Sequence, residues 1–211
     1  VFKHQTIILM QSFFKSALLS LLALVLSVPA MAQMSAESTW SFDQSHSKVG
    51  FAVTHLVISE VEGQFHTYEG TVTTTSDDFS GASIVFSADI SSIDTENEKR
   101  DGHLQSPDFF DAATYPKMTF KSTSFKKKKG NKYELKGDLT IRDVTKPITL
   151  DVTYGGTVQD PYGNTKAGFK LTGAIDRFEY GLKWDAATEA GNLVVSREVD
   201  LEMNIQLAKA K

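Results

Sequence analysis

The segment Glu96 to Pro116, ENEKRDGHLQSPDFFDAATYP, gathers the densest set of side chains able to move protons. Arg100 and Asp101 are adjacent, and His103 follows close behind. An imidazole beside a carboxylate and a guanidinium is the material of general acid–base catalysis. That chemistry also needs a positioned nucleophile or partner, and none stands in register with these three. The sequence contains no nucleophile elbow, phosphate-binding loop, dinucleotide fingerprint or paired-histidine metal motif. His46, His55, His66 and His103 are scattered without ligand spacing, so neither a metal nor a cofactor is expected. The centre of the segment, Leu104, Phe109 and Phe110, is apolar and favours a lid. In that reading the phenylalanines point into a barrel mouth, while Arg100, Asp101 and Asp108 tie the ends. His55 has two readings: a hydrogen-bonded core histidine, or a polar contact for a ligand head group inside an apolar cavity.

The elements that would position these residues have a period of two. Val49, Phe51, Val53 and His55 share one face; so do Ile84, Phe86, Ala88 and Ile90. Tyr133, Leu135, Gly137, Leu139 and Ile141 alternate with Lys132, Glu134, Lys136, Asp138 and Thr140. The same rhythm recurs at Ile148–Tyr154, at Phe169–Ile175 and at Val199–Leu207. Such alternation predicts half-buried antiparallel strands, dry on one face and wet on the other. STWSF and KMTFKSTSF add two weaker strands. KKKKGN, RDVTKP and DPYGN carry turn chemistry between strands. Two stretches resist: HLVISEVEGQF, where a helical turn is expected before Gly63, and the opening segment. There Asp94 or Thr95 would cap a short helix, and Ser106-Pro107 would start another. Helices this short cannot cover a sheet. The chain is therefore all-β, a sandwich or a closed barrel, and closure removes the edges. Inward Gly137 and Gly173 read as room left inside, or as bends at barrel corners.

Length and charge set the outer limits. The 211 residues suit one domain or two small ones. Lys3 and Lys15, then ALLSLLALVLSV, then Ala30-Met31-Ala32 make the head, apolar run and cleavage site of a secretory signal peptide. The apolar run falls short of a membrane span, so no stable membrane anchor is expected. Met10 is a second candidate start for that signal beside Val1. Residues 33–38 then form a tail and residues 39–211 a barrel domain. Loss of Val1 to Ala32 would take the formal charge from −4 to −6. A mildly acidic protein has no general attraction to nucleic acid. Cysteine is absent, so the core alone must hold the fold.

Three blocks, SHSKVGFAVTHLVISEVEGQF, KRDGHLQSPDFFDAATYPKMTFKSTSF and GDLTIRDVTKPITLDV, together resemble the YceI-like family of bacterial periplasmic lipid-binding proteins. The likeness runs from about Thr39 to Leu207. It implies a lipocalin-like, eight-stranded antiparallel β-barrel with short helical lid segments. It also implies an internal pore that holds a polyisoprenoid or similar long-chain amphiphile, with no catalytic residue set. Asp143 stands where glycine is common in the family, and a left-handed backbone is expected there.

The pore lining expected on this reading is Val49, Phe51, Val53, His55, Phe65, Phe86, Leu104, Phe109, Phe110, Phe120, Leu139, Phe169, Phe178 and Trp184. The function expected is a periplasmic carrier. The rivals are a lipid-acting enzyme using Arg100, Asp101 and His103, and a structural module for a membrane redox partner. A homodimer stays open.

Overall fold

The computed structural model describes residues 36–186 and 193–211. The candidate signal peptide, Val1 to Ala32, lies outside the described residues. The strands are β1 (Ser38–Phe42), β2 (Lys48–His55), β3 (Ser59–Phe65), β4 (Tyr68–Thr74), β5 (Ser83–Asp89) and β6 (Ile93–Asp94). They continue with β7 (Lys117–Lys127), β8 (Lys132–Ile141), β9 (Val144–Gln159), β10 (Thr165–Asp176) and β11 (Val195–Lys209). Among the described residues one α-helix, α1 (Glu98–Gln105), stands between β6 and β7.

These strands are eight lengths of chain. β1 and β2 are separated by a single 3-10 turn, Gln44–His46, and β3 and β4 only by His66 and Thr67. β5 and β6 are separated by the turn Ile90–Ser92. Each length pairs antiparallel with the next: β1 with β4 and β2 with β3, then β4 with β5 and β3 with β6. The meander continues from β5 through β7, β8, β9 and β10 to β11. β11 then closes the ring, its N-terminal part on β2 and its C-terminal end on β1. The result is a closed, up-and-down, eight-stranded barrel.

Period two decides what faces in. In β8, Tyr133, Leu135, Leu139 and Ile141 are buried, while Lys132, Lys136 and Asp138 are exposed. The HLVISEVEGQF stretch departs from expectation: it is a hairpin turn at Leu56–Ile58 followed by β3, not a helical turn. Its inward row, Val61, Gly63 and Phe65, contains a glycine, so the alternation is faint. The helix begins two or three residues later than expected. Asn97 is its cap, accepting from the Arg100 N–H at 3.1 Å. Ser106-Pro107 opens irregular turns rather than a second helix. In the β8–β9 turn the left-handed residue is Arg142 (φ 55°), not Asp143.

One carboxylate fixes the corner between β1 and β2. Asp43 Oδ2 accepts from Lys166 Nζ on β10 at 2.8 Å and from Gln206 Nε2 on β11 at 3.0 Å. It also lies 3.1 Å from His46 Nδ1. The hydrogen bond from Lys166 holds the Asp43 carboxyl far below the usual carboxylate range, against the opposing effect of burial. A depressed folded pKa stabilises the fold above the unfolded value of about 3.9, and that stabilisation is lost as pH falls toward the folded value. Asp43→Asn should therefore lower stability at pH 7 by about 1–3 kcal/mol. The deficit should shrink below about pH 4. Urea unfolding of both proteins across that range measures it.

Candidate functional site

The inward faces do not meet. They enclose a cavity of about 190 Å3 in the half of the barrel nearest α1. A second space of about 60 Å3 lies beyond it, and Phe42, Leu135, Leu171 and Ile205 line both. A single water needs roughly 10–15 Å3 of such space, so the larger cavity exceeds one solvent site more than tenfold. From Leu135 to Ile141 its β8 wall climbs about 20 Å at ~3.4 Å per residue, or about 15 Å along the axis for a strand tilted ~40°.

Glycines on neighbouring strands explain why large side chains leave this space open. Phe51 pairs across the ladder with Gly63, and a Cβ on Gly63 would overlap the Phe51 ring. Phe42 covers Gly70, Phe120 covers Gly137 and Leu150 covers Gly173 in the same manner. The inward glycines are thus recesses filled by a neighbour, not free room. Each recess lets a large side chain, a phenylalanine ring at three of them and Leu150 at the fourth, lie against the wall instead of across the lumen.

The two ends of the barrel differ. At the end away from α1, Phe79 drops in from the β4–β5 loop and is 1% exposed. It packs on Trp40 at 5.0 Å and Phe169 at 5.1 Å between ring centroids. Tyr154 lies 5.1 Å from Phe169, and Phe125 stacks on Tyr133 at 5.0 Å. The Tyr133 hydroxyl donates to Asp78 C=O at 2.7 Å and pins the loop that carries Phe79. These rings plug that end. The other end is covered by the lid, whose Leu104, Phe109 and Phe110 line the cavity. Phe110 meets Phe65 edge-on at 6.2 Å.

Of the residues expected to line a pore, Val49, Phe51, Val53, Phe65, Phe86, Leu104, Phe109, Phe110, Phe120 and Leu139 lie around the larger cavity. Phe169 lies on the smaller one. Three lie elsewhere. His55 is beyond the last cavity-lining residue of β2, at the foot of a hairpin turn where its C=O accepts from Ile58 N–H. Phe178 is held between the Arg177 and Arg197 guanidiniums, 4.6 and 4.8 Å from its ring centre. Trp184 packs behind Phe109 at 5.5 Å and does not reach the space itself. Sequence reasoning passed over Leu150, Leu171, Leu201, Met203 and Ile205, although their strand faces were legible, because it weighted aromatics. It had no signal for Leu182 or Arg177.

Among the described residues Arg177 is the one charged residue lining the cavity, and it is 3% exposed. Its guanidinium is turned to backbone. Nε donates to Ser196 C=O (2.9 Å), Nη1 to Leu182 and Trp184 C=O (2.6 and 2.8 Å), and Nη2 to Val195 C=O (3.0 Å). Burial lowers its pKa. The side chain staples the segment after β10 to the start of β11, with four of its N–H groups on main-chain carbonyls.

The acid–base candidates are spent on the lid. Arg100 Nε donates to Thr95 Oγ1 at 2.7 Å, and Asp101 Oδ1 accepts from Thr95 N–H at 2.9 Å. Thr95 is 3% exposed, so both residues clamp one buried threonine. His103 Nε2 lies 3.1 Å from Asp108 Oδ2 and meets Phe109 and Trp184 edge-on. Among the described residues no cluster of histidine and carboxylate side chains is arranged to hold a metal.

Gly63→Ala tests the recesses. The atoms nearest its new methyl are all side chain, from Phe51 and Thr95, so the Phe51 ring should lift into the lumen. The variant is expected to fold, lose about 1–3 kcal/mol from overpacking, and bind apolar probes at least tenfold more weakly. Fluorescence titration and urea unfolding read both effects.

Comparison with known proteins agrees with the architecture. A model of the YceI-like domain matches residues 40–207. A UPF0312 protein of Vibrio cholerae is 33% identical over 185 residues, covering 88% of this chain and 93% of that protein. A UPF0312 protein of Staphylococcus aureus is 34% identical over 172 residues, covering 81% and 98%. The crystal structure of a Campylobacter jejuni YceI protein superposes with a TM-score of 0.64 at 33% identity, over 80% of this chain and 96% of that one. A polyisoprenoid binding domain from Saccharophagus degradans superposes with a TM-score of 0.60 over 81% and 98%; at 18% identity the likeness is one of fold. With a matched domain spanning nearly the whole barrel, the chain belongs to the YceI-like family.

Proposed function

We propose that this protein is an exported, periplasmic carrier that holds one long apolar chain, of the polyisoprenoid class, inside the barrel. The observation that carries the reading is a hollow whose lining, among the described residues, is apolar except for Arg177, itself engaged with backbone. Such a wall selects by length and greasiness, not by head group. Each buried methylene contributes about 0.8 kcal/mol, so ten contribute about 8 kcal/mol, the free energy of a micromolar complex before entropic costs. Short chains fall below that, and long ones need no polar contact. The polar end of the ligand then rests at the lid rather than on His55.

The fold likeness to a domain described as polyisoprenoid binding supports the ligand class. The signal-peptide pattern of Val1 to Ala32 supports export. The hydrogen bonding of Arg100, Asp101 and His103 supports a binding role over an enzymatic one, because all three are engaged in holding the lid.

Organic extraction of the purified protein followed by mass spectrometry tests the reading. A long prenyl or similar chain should be recovered at near-equimolar amount. Phe51→Asp and Phe110→Asp place a carboxylate in the lumen and should cut recovery at least tenfold. Lys127→Ala, on the outer surface near the plugged end, should leave it unchanged. Equal recovery from all three variants would sink the assignment.

A further inference from the structure

The β2–β3 hairpin ends in three apolar residues that pack on little of the barrel. Leu56, Val57 and Ile58 are 40%, 65% and 85% exposed. The turn is closed by Ile58 N–H donating to His55 C=O at 3.2 Å. Its two central residues, Leu56 and Val57, have φ of 51° and 65°. Asn-Gly is the pair that fills such a turn without strain, and a β-branched valine there is an outlier. The monomer buries little in return for the strain, since Val57 and Ile58 are mostly exposed and Leu56 is only partly covered. A strained, exposed, apolar tip points to a surface that it meets.

Its position identifies the surface. Val53 is the last residue of β2 to line the cavity, and Leu56 lies three residues on, about 10 Å at ~3.3 Å per residue. The Leu56 N–H donates to Val194 C=O at 2.8 Å, and Val195 also lines the cavity. The tip therefore stands at the lid end, while the opposite end is plugged. We propose that Leu56–Val57–Ile58 is a bilayer-docking tip through which the cavity is loaded from a membrane surface. This rests on the reading of the cavity as a site for a long apolar chain, a ligand that resides in bilayers.

A protein partner fits less well. A specific protein interface buries about 800 Å2 per partner, and a convex tip of three side chains offers a fraction of that. Shallow insertion between lipid head groups needs no more than such a tip. The local charge selects the mode. No lysine or arginine lies between His55 and Gly63, and Glu60 and Glu62 follow the turn. Docking is therefore apolar, works on zwitterionic lipid and is insensitive to salt.

The test uses the mature protein and parinaric acid, a naturally fluorescent fatty acid, offered either from detergent or from phosphatidylcholine vesicles. Leu56→Asn/Val57→Gly supplies the residues the turn prefers and does not touch the cavity. It should melt at a higher temperature than the parent, load from detergent to the same extent, and load from vesicles at least tenfold more slowly. Tyr162→Ser removes another exposed apolar group, 88% exposed, at the plugged end, and should leave vesicle loading unchanged. The parent's vesicle rate should not change between low and high salt. Equal vesicle loading by the double variant, or equal slowing by Tyr162→Ser, overturns the docking tip and leaves the cavity reading standing. A vesicle rate that falls steeply with salt overturns it too. Failure of the parent to load from detergent overturns both.

Discussion

The Phe51 ring occupies the volume that any side chain on Gly63 would need, and Phe42, Phe120 and Leu150 do the same over Gly70, Gly137 and Gly173. An eight-stranded barrel is about wide enough for its own side chains to fill it. Whether this one is solid or hollow therefore turns on a few contacts of this kind. Four neighbours without a Cβ let large groups lie flat, and the apolar centre stays open. The closed ladder makes that tolerable, because the strands of the wall are paired sideways around the whole ring, interrupted only by local bulges.

An apolar hollow must be sealed at both ends, and polar groups of the chain are spent there. At one end Tyr133 holds the loop that delivers Phe79. At the other, Arg100 and Asp101 grip buried Thr95, and Arg177 gathers four carbonyls from the segment after β10 and the start of β11. Midway, Asp43 draws the broken β1–β2 strand onto β10 and β11. The segment that looks most like chemistry in the sequence is a clasp. Its donors and acceptors face backbone and one another rather than the cavity.

How far the sequence was legible follows from this division. Strands with unbroken alternation, such as β8 and β11, could be read directly, and so could the hairpins of Lys126–Asn131 and Asp160–Asn164. β3 and β4 could not, because Gly63 and Gly70 stand where an apolar residue would have marked the inward face. Their meaning lies in Phe51 and Phe42, on other strands. Among cavity residues, alternation placed Phe51 and Leu139 but carried His55 one step too far. Period two does not reveal where a strand leaves the barrel. Arg177 was illegible for a different reason: its partners are main-chain carbonyls, which leave no trace in side-chain pattern. The same blindness moved the left-handed residue from Asp143 to Arg142, since a local rule cannot weigh the bonds that Arg142 makes to Phe109 and Gly181 C=O.

The aromatic stopper of Trp40, Phe79 and Phe169 turns the barrel into a blind alley. For the apolar chain proposed as its guest, such a shaft would have one way in and the same way out, so one occupant would have to depart before the next arrived. Tail-first entry would also fix the direction of display: a recipient would meet the head first, and a tail longer than the shaft is deep would leave its surplus outside.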